Sequence, residues 1–552
     1  MLTLSGFLIL ATTLVGQTPA LQPPARDAAA TPAGTAVVRG RIVTEANGQP
    51  LHRVRVTLNG AAQNPPTGVT DTRGEFEITG VPAGMYTLTA TRAGYLTTQY
   101  GHRRRGEAGR PIVVRTGENI EKLDMALQRG GVLAGRVFDD TGDALAGVRV
   151  EAVETRFVRG RRVPVAARIT ATNDVGEFRL SNLEPGAYQL RAVSRDAWES
   201  DDGKATYVYA TTFFPGVSAA DQAQNLTVAA GQEIGGLDIR LVPGREARVT
   251  GVVQDASGAP VPGLVVNFGD ITRTVGGALQ SQGGVGSART NERGEFAFEN
   301  LPPGEYMAYG GGPNNTTNAT VVLNPGETKH VVLTPARTPA VAGTVVSDDG
   351  TRLPFAAARV TVTPVDADPD NVFVPWAGPN AQSPRPDWTF RIVNMSGQYL
   401  FRVTGLPDDW RLAAVLLGGR DIIDTPLPFS RGHADVEGLQ LVLTRKAARL
   451  EGRVLDRAGA ATTDASVIVF AEGRSAWGIG SRFVRATRPE QDGRFTLAAL
   501  PPGTYRVIAR DFVAEGQWED PEFLQSLLRD ATRVELKDGV NESLTLTVVE
   551  AR

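Results

Sequence analysis

The chain has 552 residues, more than one hydrophobic core can serve, so several domains are expected. Charged residues make up 21%, hydrophobic ones 41%, and the formal net charge is −3, which fits soluble globular domains and excludes a bulk field for nucleic acid or anionic lipid. There is no cysteine, which excludes disulfides, thiolate metal sites, cysteine nucleophiles and a lipoprotein anchor. Residues 1–20 read as an export signal: an apolar run from Leu4 to Val15, then small residues at Thr18-Pro19-Ala20, with no Lys or Arg ahead of the run. The run is too short to span a bilayer, and no later segment holds eighteen apolar residues, so no membrane span is expected after the signal. Residues 21–35, rich in Pro, Ala and Thr, read as a linker.

A strand with a central glycine then recurs five times: Val38-Arg39-Gly40-Arg41-Ile42, Leu133-Ala134-Gly135-Arg136-Val137, Val249-Thr250-Gly251-Val252-Val253, Val341-Ala342-Gly343-Thr344-Val345 and Leu450-Glu451-Gly452-Arg453-Val454. Each alternates as a half-buried strand does. The glycines at 40, 135, 251, 343 and 452 stand 95, 116, 92 and 109 residues apart, a domain length and not a solenoid repeat. The units expected are 36–130, 131–246, 247–340, 341–448 and 449–552 (units 1 to 5). A turn with glycine at 48, 142, 258, 350 or 459 leads to a second strand, such as Val54 to Leu58.

Next comes Gly-x-aromatic: Gly74-Glu75-Phe76, Gly176-Glu177-Phe178, Gly294-Glu295-Phe296, Gly397-Gln398-Tyr399 and Gly493-Arg494-Phe495. Asp71, Asn173, Asn291, Asn394 and Glu490 stand three residues earlier, where a short polar side chain can close the turn. The aromatic and the residue two further on, Ile78, Leu180, Phe298, Phe401 and Leu497, are expected to point inward. Ten residues after the aromatic, a Pro-Gly type turn precedes Tyr86, Tyr188, Tyr306 and Tyr505. Unit 4 departs here, with Leu406-Pro407-Asp408-Asp409-Trp410. Each unit closes with a hairpin, as at Asn225 to Leu241. One helix is expected, capped by Asp520, started by Pro521 and apolar at Phe523, Leu524, Leu527 and Leu528. The fold class expected is all-β, a tandem array of about five antiparallel Greek-key sandwiches.

This set of motifs resembles the carboxypeptidase regulatory-like domain, closely in units 1, 2, 3 and 5 and degenerately in unit 4. The resemblance implies a transthyretin-like (prealbumin-like) sandwich of seven or so strands, similar also to bacterial surface repeats, starch-binding-like domains and receptor extensions. The motif residues are turn and core positions, so they specify fold more than function.

Chemistry is sparse. None of His52, His102, His330 and His433 has Glu three residues on, so the zinc site of a carboxypeptidase is not formed, and neither the Tyr/His iron site of intradiol dioxygenases nor the His/Arg site of hydroxyisourate hydrolases is visible. No opening strand carries a lysine for an isopeptide bond. Asp366-Ala367-Asp368-Pro369-Asp370-Asn371 begins like a calcium loop but lacks the turn glycine and closing Glu, and reads as a solvated acidic loop. Arg103-Arg104-Arg105 and Arg159-Gly160-Arg161-Arg162 read as solvated hairpin tips. No catalytic residue, metal or cofactor is expected. The remaining leads are aromatics outside the motifs: Tyr207, Tyr209, Phe213, Phe214, Trp376, Trp388, Trp477 and Trp518, with Trp198 nearby. Exposed, they would stack on sugars or anchor a partner; otherwise they fill loop ends and interdomain joints. The chain is thus expected to be a non-catalytic, secreted or periplasmic envelope protein, a semi-rigid rod with a polysaccharide or envelope-protein partner. The alternative is an accessory subunit of an envelope hydrolase or outer-membrane assembly.

Overall fold

The computed structural model describes residues 34–60, 64–104, 106–158, 160–273, 279–280, 284–312, 315–366, 379–407, 409–490 and 492–550. The array is all-β, with one short α-helix among the described residues. The export signal and nearly all of the linker lie outside the described residues, as do most of the calcium-loop-like segment, Trp376, Arg105 and Arg159.

Every unit is built around its glycine-bearing strand. In unit 1 the strand Ala36–Thr44 pairs antiparallel with Glu75–Val81, which places Gly40 opposite Phe76. The same pairing sets Gly135 opposite Phe178, Gly251 opposite Phe296 and Gly452 opposite Phe495. On its other edge the opening strand runs parallel to a late strand of the unit, so each sandwich carries parallel pairing within a mostly antiparallel design. This close neighbour explains the glycine. A Cβ at Gly135, Gly343 or Gly452 would lie about 2.0–2.1 Å from a carbonyl oxygen of that neighbouring segment, a backbone atom that cannot step aside.

The second sheet joins the second strand to the Gly-x-Tyr strand, as in Arg55–Asn59 with Gly84–Thr91 and Arg149–Val158 with Gly186–Val193. Alternate residues of both sheets meet in one core per unit. Unit 1 buries Val38, Ile42, Val56, Phe76, Ile78, Tyr86 and Leu88; separate clusters fill the other four units. The tyrosine hydroxyls are all used in one way. Tyr86, Tyr188, Tyr306 and Tyr505 each donate to the carbonyl four residues earlier, at 2.9, 2.7, 2.7 and 2.8 Å, pinning the corner before their own strand.

Unit 4 corrects the sequence alignment. Gly343 lies opposite Phe390, not Tyr399. The Gly397–Thr404 strand pairs with Thr361–Asp366, so Gly397-Gln398-Tyr399 is the Gly-x-Tyr of the corner, with the Tyr399 hydroxyl donating to the Ser396 carbonyl at 3.1 Å. Trp388 occupies the turn position that glycine holds elsewhere. Its φ is 66°, against 75° at Gly74, and its carbonyl accepts from Val345 as that of Gly74 accepts from Ile42. The first motif is hidden because its glycine has been replaced.

Unit 5 adds a second layer. All six residues of Ser466–Ala471 are buried. Val467 and Val469 face the sandwich, while Ile468 and Phe470 face Leu524 and Leu527 of the helix Pro521–Leu527. Asp520 caps that helix by accepting from the Glu522 amide at 2.9 Å.

The five sandwiches do not extend into the rod expected of a simple tandem array. Unit 5 meets unit 1 through Arg488–Glu107, meets unit 4 through Arg482–Asp424, and brings its 516–520 segment against Phe157 and Gly160 of unit 2. Arg103 and Arg104 are exposed, as expected of a solvated tip, and they also pair with Asp464 and Asp511 of unit 5.

Candidate functional site

The aromatics named from the sequence divide among several places. In unit 2, Trp198 stacks on Tyr207 at 5.9 Å and lies 4.7 Å from Tyr209, which is buried and donates its hydroxyl to Asp140 at 3.0 Å. Phe213 and Phe214 are half-buried, Phe214 against the unit 2 core. Trp388 packs edge-on against Phe355 in unit 4. Trp477 and Trp518 come together on the outer layer of unit 5, where the Trp477 indole donates to the Ala471 carbonyl at 2.7 Å. They form no single platform.

A concave site lined by four arginines lies between units 4 and 5. A cleft of about 620 Å3 is lined by Arg402, Arg411, Arg482 and Arg485, with Leu406, Pro407, Ala499, Pro501, Trp518 and Glu519 on its walls. Strand register places Arg402 on Gly397–Thr404 and Arg485 on Val484–Thr487; Arg411 opens the next strand of unit 4. Arg402 donates to the carbonyls of Gly480 at 2.9 Å, Phe401 at 3.0 Å and Ile423 at 2.7 Å, and reaches Asp424 only at 3.5 Å. Asp424 is held instead by Arg482, at 2.8–3.0 Å. Arg411 pairs with Asp538 of unit 5 at 2.6 Å. Arg485 hydrogen-bonds the carbonyls of Ser481 and Val484, both at 3.0 Å. Burial pulls the Arg402 guanidinium down to about 10 and pulls Arg485 down as well, the signature of cations held in a dry place.

These arginines were not singled out from the sequence. Each is an isolated residue in or beside a strand, and only the docking of two units gathers them.

At the unit 1 and unit 5 junction, Glu107 and Arg488 lie at 3.0 Å with side chains 4% and 3% exposed. The Glu107 carboxylate also accepts from the amides of Arg103 and Arg104, and Arg488 donates to the carbonyls of Gly101 and Ala108 at 2.6 and 2.9 Å. This is an interdomain lock, with its polar atoms turned inward. Among the described residues, no three His, Asp or Glu side chains gather to hold a metal, and no helix is long and apolar enough to cross a membrane.

Residues 37–128 match the family model of the carboxypeptidase regulatory-like domain. That match covers unit 1; the shared strand register of the later units extends the likeness in fold. Among solved structures, the chain is similar to a streptococcal ancillary pilin (11% identity, 54% of this chain and 98% of that one, TM-score 0.19). It is also similar to the minor pilin of Streptococcus agalactiae (18% identity, 38% and 95%, TM-score 0.21) and the major pilin of Bacillus cereus (12% identity, 54% and 99%, TM-score 0.14). No curated protein matches the sequence.

Proposed function

We propose that this chain is a non-catalytic, exported protein of the cell envelope, in which five sandwiches (36–130, 131–246, 247–340, 341–448 and 449–552) form a folded-back scaffold that binds a polysaccharide or an envelope protein. The observation that carries this reading is how the recurring residues are used. The glycines, phenylalanines and tyrosines of the repeat are consumed in strand crossings, cores and corners, and ion pairs such as Arg411–Asp538 and Arg488–Glu107 dock one sandwich on another. Such an architecture invests in shape and presents loops and junctions for recognition.

The test is to tag the full-length chain in its host, fractionate the cells, and probe the purified protein on a glycan array and by pull-down from envelope extracts. A shortened chain in the envelope or medium, retaining a glycan or one dominant envelope protein, is the expected result. An unprocessed chain confined to the cytosol would overturn the reading.

A further inference from the structure

We infer that the cleft between units 4 and 5 is an oxyanion site, suited to the carboxylate of an acidic sugar residue or to a phosphate group. This goes beyond the envelope role: a cytosolic chain would still have the site, and an exported chain could lack binding there. Four guanidiniums line or enter the cleft, Arg402, Arg411, Arg482 and Arg485. Three carboxylates accompany them: Asp424 and Asp538, which pair with them, and Glu519 on the wall. One positive charge is therefore in excess.

Its location is legible in the hydrogen bonds. Asp424 is committed to Arg482, and Asp538 to Arg411. Among the described residues, Arg485 hydrogen-bonds only the backbone carbonyls of Ser481 and Val484, and Arg402 hydrogen-bonds three carbonyls and makes a long contact to Asp424. Carbonyls orient a guanidinium without neutralising it. Arg402, Arg482 and Arg485 also repel one another in this half-buried setting, and that repulsion adds to the burial that weakens Arg402 as a cation. An entering oxyanion would supply the missing charge and accept charge-assisted hydrogen bonds, for which the guanidinium fork is well shaped. A volume of about 620 Å3 lies in the range of small-ligand sites, and the apolar wall of Leu406, Pro407, Ala499 and Trp518 offers a surface for the C–H face of a sugar ring.

The experiment is calorimetric titration of the full chain with trigalacturonate, with neutral maltotriose and with inorganic phosphate, repeated on Arg485→Gln and Arg485→Lys. Trigalacturonate is expected to bind and maltotriose not to. Arg485→Gln should weaken binding at least tenfold at an unchanged melting temperature, and Arg485→Lys should keep part of the affinity. If phosphate binds as tightly as the sugar acid, the oxyanion site stands and its ligand is a phosphate group. Failure of both anions to bind, equal binding of maltotriose, or full affinity in a folded Arg485→Gln protein would overturn the inference. Should Arg485→Gln lose its cooperative melt, the Arg485→Lys variant decides: partial or full affinity in the folded protein supports the charge requirement, and none overturns it.

Discussion

Glu107 of unit 1 and Arg488 of unit 5 face each other at 3.0 Å, both almost fully buried, across the junction that folds the array back on itself. The guanidinium Nε and Nη2 have no aligned hydrogen-bond acceptor, so the carboxylate acts there chiefly as a countercharge. Burial pushes the Arg488 guanidinium down, with repulsion from Arg110 and Arg103 adding to it, and Glu107, with Asp464, opposes that push.

Removing one partner should therefore cost more than removing both. Glu107→Ala leaves a buried cation and should destabilise the junction by about 3–5 kcal/mol. Glu107→Leu with Arg488→Met should recover most of that loss. Urea denaturation checks the energies, and small-angle scattering should show a larger radius of gyration for Glu107→Ala alone. Equal loss in the single and double variants would contradict the countercharge role.

Tyr505 is fully buried and its hydroxyl donates to the Pro501 carbonyl at 2.8 Å. Tyr505→Phe keeps the ring and strands that carbonyl, so a loss of about 1–3 kcal/mol is expected. The midpoint of urea unfolding, followed by near-UV circular dichroism, measures it.

Ala499 has φ 61°, where Asn182 and Asn300 at the matching bulges of units 2 and 3 have φ 57°. A left-handed alanine is strained by about 1–2 kcal/mol, part of which glycine returns as chain entropy in the unfolded state. Ala499→Gly should stabilise unit 5 by roughly 0.5–1 kcal/mol, a small rise in melting temperature by calorimetry.

Gly452 has no such freedom. A Cβ there would sit 2.0 Å from the Leu544 carbonyl oxygen and 2.7 Å from the Phe495 ring. Gly452→Ala should destabilise unit 5 by about 1–3 kcal/mol through forced separation of the two strands. A melting temperature equal to that of the native chain would show that the strands part freely.

Acid should loosen the turns before the cores. The Asp349 carboxyl is held down to about 2, first by the Ser347 hydroxyl and then by the Thr351 hydroxyl and amide. Its folded-state value lies below the unfolded one near 4, so its contribution is complete above about pH 4 and vanishes as pH falls through about 2. Asp255, held by the Ser257 hydroxyl and the Ala259 amide, shifts in the same direction. Urea midpoints measured from pH 6 to pH 2 should fall across that window, and Asp349→Asn should flatten part of the fall.

The fold was largely legible because its turns and corners depend on residues with few substitutes. Gly40 and Phe76, or Gly493 and Tyr505, mark backbone crossings that tolerate little else. Unit 4 was misread for the same reason. Trp388 adopts the glycine conformation, so the next Gly-x-aromatic in the chain, Gly397 and Tyr399, takes the motif's place in the sequence although it belongs to the later corner. The arginine cleft left no sequence signal. Arg402 and Arg485 are separated by a unit boundary, and an arginine on a strand looks the same whether it faces water or another domain. The unit 1 and unit 5 lock was hidden likewise: Arg103 and Arg104 are the solvated tip their sequence suggests, and their acidic partners, Asp464 and Asp511, come 361 and 407 residues later.

The docking of unit 5 on unit 1 makes the array a closed circuit. Units 2 to 4 act as a tether that keeps the two surfaces at high effective concentration, so even a weak lock stays shut. A single protease cut between any two units would remove that tether, and the two fragments would then stay together only as strongly as contacts such as Glu107–Arg488 hold on their own.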